Sequence, residues 1–71
     1  MGIIERPKIT LPAARVNAGM NQREMAEFLG VDVSTITNWE KGKTEPSTSQ
    51  LRKISDVSGI PMDYIFVPEK S

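Results

Sequence analysis

From Thr10 onward, apolar residues recur at helical spacing between residues that start and stop helices. Thr10 is a natural cap, and Pro12 is tolerated in the opening turn of a helix that runs through Ala13, Ala14, Arg15 and Val16 to about Ala18. Gly19 ends it. Asn21-Gln22-Arg23-Glu24 reads as a capping box that opens a second helix, Gln22 to Leu29, with Met25, Ala26 and Leu29 on one face. Gly30 suits a tight turn at positive φ. Only Val31 and Asp32 precede a third helix from Val33 to Lys41, for which Asp32 is the expected cap. Residues 42–46 form a loop. Ser47-Thr48-Ser49-Gln50 is a second capping box, opening a fourth helix with Leu51, Ile54 and Val57 in phase and Gly59 as its stop. Pro61 predicts a short fifth helix through Met62, Asp63, Tyr64, Ile65 and Phe66, ended by Pro68.

Strand patterns are weak throughout, so the expected architecture is all-α, a compact bundle of five helices. Residues 1–9 show no period and read as an N-terminal arm, residues 10–66 as the domain, and residues 67–71 as a tail.

Length narrows the range of functions. A chain of 71 residues is at most one domain, and folding hides only about 60% of the surface of so short a chain. That leaves a thin core and no deep enclosed pocket. The sequence has no cysteine and no histidine, which removes disulfides, thiolate zinc sites and the commonest general base. Met20, Met25 and Met62 read as gap-fillers in a small core rather than metal ligands. Serines have no histidine to activate them, the carboxylates fall at caps and surface positions, and there is no phosphate-cradling glycine loop. The expectation is a protein that is not an enzyme and takes no metal or cofactor. The opening residues lack a signal-peptide pattern, so the expected location is the cytoplasm. Nine basic residues balance nine acidic ones, whereas nucleic-acid binders usually carry a basic surplus.

Residues 22–41 are the informative window. Two short helices joined by so brief a turn cannot lie antiparallel and must cross steeply. Ala26 permits close approach, Gly30 supplies the bend, and Met25, Leu29, Val31, Ile36 and Trp39 are apolar where the helices face inward. This is a helix-turn-helix pattern. The window resembles the lambda-repressor and Cro-like family, often called the XRE family. Asn21-Gln22 matches the family's entry to the motif, and Ile36-Thr37-Asn38-Trp39-Glu40-Lys41-Gly42 resembles its Ile-Ser-x-Trp-Glu-x-Gly signature. Pro46-Ser47 and Asp63-Tyr64-Ile65-Phe66 match its fourth-helix start and its ending, so the likeness covers residues 10–66. The resemblance implies a five-helix bundle and sequence-specific binding to duplex DNA by a transcriptional regulator, expected to act as a repressor.

The third helix can be oriented independently. At about 100° per residue, Thr35, Ile36 and Trp39 share the inward side. The outward side is centred on Ser34, Thr37 and Lys41, with Val33 and Asn38 flanking it. Residues near the N-terminus of a helix reach deepest into a major groove. Val33, Ser34, Thr37 and Asn38 are therefore the candidate base readers, with Asn38 suited to an adenine edge and Val33 to a thymine methyl. Candidate phosphate contacts are Gln22 and Asn21 at a helix N-terminus, and Lys41, Lys43 and Thr44 just after the third helix, with Arg23 and Asn17 as weaker candidates. Asn21 has two readings, cap and phosphate ligand; the lysines also fit an ordinary hydrated surface. Trp39 is spaced for the core rather than for base stacking. The resemblance further implies that Arg15 of the first helix pairs with Glu40 to orient the third. An exposed pair would contribute under ~1 kcal/mol, a partly buried one more.

One recognition helix covers few base pairs, so a homodimer on two half-sites is expected. The candidate contacts are Ile60, Tyr64, Phe66 and Val67 at the C-terminal end, or Ile3 and Ile4 in the arm. The competing reading is a protein-interaction module, such as an antitoxin or anti-repressor partner, with DNA binding secondary. The neutral charge is the feature that favours it.

Overall fold

Four α-helices form where the capping signals fall. A computed structural model of the chain describes residues 8–68, and its elements in order are strand β1 (Ile9–Thr10), helices α1 (Leu11–Asn17), α2 (Gln22–Leu29), α3 (Val33–Lys41) and α4 (Thr48–Ser58), a 3₁₀ turn (Met62–Tyr64) and strand β2 (Ile65–Phe66). The Thr10 side chain accepts from the Ala13 N–H, and both capping boxes are complete. In the first, Asn21 Oδ1 accepts from the Glu24 N–H at 2.8 Å while Glu24 Oε1 accepts from the Asn21 N–H at 2.9 Å. Asp32 occupies the N-cap position of α3, but its side chain makes no capping hydrogen bond. Its carbonyl alone serves the helix start, accepting from the Thr35 N–H at 3.0 Å.

The turn between α2 and α3 is held by backbone geometry. Gly30 adopts φ 71°, the left-handed region. Its N–H reaches Glu27 O while the Val31 N–H reaches Ala26 O at 2.9 Å, the paired reverse bonds of a Schellman motif. That motif satisfies the last carbonyls of α2 and turns Val31 inward, where it packs against the core.

The C-terminal end departs from the five-helix expectation. Only Met62–Tyr64 are helical, as a single 3₁₀ turn, and Ile65–Phe66 then leave as a strand. Ile9 pairs with Ile65 and Thr10 with Phe66 in a parallel two-stranded ladder. The fold is thus mostly helical with a small sheet, and Ile9, which the sequence pattern puts in the arm, is part of the packed structure. The Lys8 Nζ donates to Asp63 O at 3.0 Å and extends this tie between the ends. Ile65 is buried by the arrangement while Phe66 faces out, as alternation along a strand requires. Ile3 and Ile4, the arm's candidate dimer contacts, lie outside the described residues.

The core joins every layer. Leu11 and Ala14 of α1, Met25, Ala26 and Leu29 of α2, Ile36 and Trp39 of α3, Ile54 of α4 and Ile65 of β2 form one buried cluster. Ile9, Met20, Leu51, Val57 and Ile60 pack around it. Ala26 is 2% exposed at the α2–α3 crossing, where a larger side chain would force the helices apart. Among the described residues no helix is long and apolar enough to cross a membrane, and no cluster of side chains has the makings of a metal site.

Candidate nucleic-acid interface

The core fixes which edge of α3 remains outside. Ile36 and Trp39, three residues apart, are 2% and 4% exposed and anchor the helix inward. Val33, Ser34 and Lys41 are exposed on the opposite edge, and Thr37 and Asn38 are half-buried beside them. Trp39 is a core residue and not a surface stacking platform. Thr35 is half-buried on the inward flank.

A polar cluster crosses from α1 to α3 through the start of α2. Arg15 Nε donates to Glu40 Oε2 at 2.8 Å, Arg15 Nη2 approaches Glu40 Oε1 at 3.5 Å, and Arg15 Nη1 donates to Met20 O at 3.0 Å. The two side chains are only 16% and 11% exposed, so this is the partly buried form of the pair rather than a surface contact. Gln22 Nε2 donates to Glu40 Oε1 at 2.9 Å, and Gln22 Oε1 accepts from the Thr37 hydroxyl at 3.2 Å. One carboxylate thus gathers charged and neutral donors from two helices, and the Gln22 amide carries the chain of bonds onto the outer edge of α3.

The other candidates are distributed around this edge. Asn21 is occupied as a cap through both its side-chain oxygen and its backbone N–H. Lys41, Lys43 and Thr44 are exposed at the end of α3. The turn that carries them is closed by the Lys43 N–H donating to Asn38 O at 2.9 Å and the Gly42 N–H to Trp39 O at 3.1 Å. Asn17 lies elsewhere, its side-chain N–H₂ donating to Ser58 O at 2.6 Å where α1 meets the end of α4. Of the C-terminal apolar residues, Phe66 is exposed and Tyr64 and Val67 are half-buried, whereas Ile60 packs against the chain's own core.

The engagement of Gln22 with Glu40 and Thr37 is not evident in the sequence. Its only trace is that Thr37 and Glu40, three residues apart, share the edge of α3 that meets the start of α2. Nothing local marks Gln22 as their partner.

Comparison with known proteins gives a concordant picture. A family model described as "Helix-turn-helix" matches residues 13–65. A Bacillus subtilis protein, the SPbeta prophage-derived uncharacterized HTH-type transcriptional regulator YonR, is 34% identical over 55 residues, 78% of this chain and 51% of its own length. The HTH-type transcriptional regulator ImmR, also of Bacillus subtilis, is 34% identical over 55 residues, covering 78% of this chain and 43% of that protein. An uncharacterized HTH-type transcriptional regulator of Haemophilus influenzae is 45% identical over 42 residues, 59% of this chain and 18% of that protein. The chain therefore spans about half the length, or less, of these relatives. No solved structure gives a significant match.

Proposed function

The chain belongs to the XRE-type, lambda-repressor-like helix-turn-helix family, and from that premise we propose that it binds duplex DNA sequence-specifically as a transcriptional regulator, acting as a repressor in the cytoplasm. The observation that carries this is the division of α3. Ile36 and Trp39 commit one side to the core, while Val33, Ser34, Thr37 and Asn38 leave the other accessible toward the N-terminal end that enters a groove first.

In this reading Val33 contacts a thymine methyl, Asn38 an adenine edge, and Ser34 and Thr37 polar base edges. Asn21 and Gln22 approach phosphate from the start of α2, where helix N–H groups favour an anion. Lys41, Lys43 and Thr44 approach the flanking strand. The Arg15–Glu40 pair contacts no base; it holds α3 at its angle to α1. A homodimer reads two half-sites about one helical turn apart, with Tyr64, Phe66 and Val67 as its contacts.

Fluorescence anisotropy with labelled duplex across a salt series tests the proposal. Lys41 and Lys43 of both protomers make four charge-neutralising phosphate contacts, which give a slope of log affinity against log salt of about −4. Binding that is absent, or that does not change with salt, would favour a protein-interaction module instead.

A further inference from the structure

The bonds around Gln22 assign a hydrogen-bonding polarity to the recognition edge: we infer that the Thr37 hydroxyl faces DNA as an acceptor only, and so selects an amino base, adenine or cytosine, over a keto base, guanine or thymine. The inference rests on the reading of α3 as a recognition helix and deepens it.

Polarity starts at Glu40. A carboxylate paired with a guanidinium only accepts hydrogen bonds, so the group of Gln22 that lies 2.9 Å from Glu40 Oε1 must be its N–H₂. That fixes the amide's orientation, a choice an isolated glutamine leaves open. The other end of the amide, Oε1, then lies 3.2 Å from the Thr37 hydroxyl and only accepts. The second neighbour of that hydroxyl, Val33 O, lies at the same 3.2 Å and is a carbonyl that also only accepts. A threonine hydroxyl has one proton and two lone pairs. Whichever acceptor takes the proton, both are atoms of this chain, and the hydroxyl turns lone pairs outward.

The major groove offers complementary groups. Adenine N6 and cytosine N4 donate, whereas guanine O6 and N7 and thymine O4 accept. An acceptor-only hydroxyl bonds the first pair and faces the second with lone pair against lone pair. To donate to a keto base, Thr37 would forfeit the internal bond that its single proton makes to Gln22 Oε1 or Val33 O. One neutral hydrogen bond corresponds to a preference of about fivefold. Glu40, which touches no base, is thus a positioning residue that acts on specificity through Gln22.

Selection from a random duplex pool, run with the wild type, Thr37→Val and Glu40→Gln, tests this. The wild type should show one half-site position where adenine or cytosine exceeds guanine and thymine by about fivefold, and Thr37→Val should lose that preference while still enriching duplex. Glu40→Gln lets the Gln22 amide reverse, which removes one of the two acceptors of the Thr37 proton and leaves Val33 O in place, so the preference for an amino base should persist at reduced strength at the same position. The inference is overturned if Thr37→Val leaves the selected sequence unchanged, or relaxes a position at which the wild type prefers a keto base. Either result leaves DNA binding itself standing. Failure of the wild type to enrich any duplex would bring down both readings together. Circular dichroism checks that each variant is folded; should Glu40→Gln unfold, the comparison of wild type with Thr37→Val still decides.

Discussion

Removing the Glu40 carboxylate should both destabilise the domain and weaken DNA binding. Glu40→Ala withdraws the acceptor for Arg15 Nε at 2.8 Å and for Gln22 Nε2 at 2.9 Å. Arg15 keeps Met20 O as an acceptor, at 3.0 Å, but its charge remains in a site only 16% exposed. Breaking a fully buried pair costs about 3–5 kcal/mol, and an exposed pair under about 1 kcal/mol. The residual exposure of both side chains, with one bond surviving, places the loss near about 2 kcal/mol. Domains of this size have total stabilities of roughly 4–10 kcal/mol, so the loss is large in proportion. It corresponds to a fall in Tm of about 8–16 °C. Thermal melting by circular dichroism and anisotropy on a duplex, both well below the lowered Tm, separate the two consequences. Affinity should fall even where the variant is fully folded, because α3 has lost its tie to α1. The double variant Arg15→Met, Glu40→Leu should regain much of the lost Tm, since a packed apolar pair replaces an ion pair at little cost. A Glu40→Ala protein with unchanged Tm and unchanged affinity would show that the carboxylate neither stabilises the domain nor orients α3.

Further outcomes follow from the same geometry. Gly30→Ala should lower stability by about 1 kcal/mol in urea melts through backbone strain alone, because nothing lies within 4 Å of the added Cβ, and Gly30→Asn should lose less. Asn21→Ala should cost about 1 kcal/mol as the capping box opens, while Asp32→Ala should cost clearly less, since Asp32 makes no side-chain capping bond. Ala26→Leu, at 2% exposure, should destabilise by about 1–3 kcal/mol in the same melts. Lys43→Gln should leave Tm unchanged and reduce the salt slope of duplex binding by about two, one contact being lost from each protomer of the dimer.

How much the sequence revealed depended on the range of the interactions involved. Helix starts at Thr10, Asn21 and Ser47 were legible because a cap bonds a backbone N–H three residues away, within the same short stretch of chain. The inward face of α3 was legible because Ile36 and Trp39 share a helical face whatever surrounds them. The β1–β2 ladder was not. Its two residues on each side carry no period, and Ile9 and Ile65 become neighbours only after the helices have packed. The pattern after Pro61 therefore resembled another helix, whereas pairing with Ile9 and Thr10 draws Ile65 and Phe66 into an extended conformation. The Gln22 bonds were hidden for a related reason. They depend on the angle at which α2 meets α3, and composition does not set that angle. Asp32 shows that residue type at a cap position does not guarantee a side-chain bond, because the rotamer must also point back along the helix.

Whether the outer edge of α3 meets the DNA can be read from amide chemical shifts as the isotope-labelled protein is titrated with a selected duplex. The largest shifts are expected at Gln22 and across residues 33–38, with smaller ones at Lys41 and Lys43. Shifts confined to α4 and the β1–β2 ribbon, with residues 33–38 unmoved, would contradict contact through that edge.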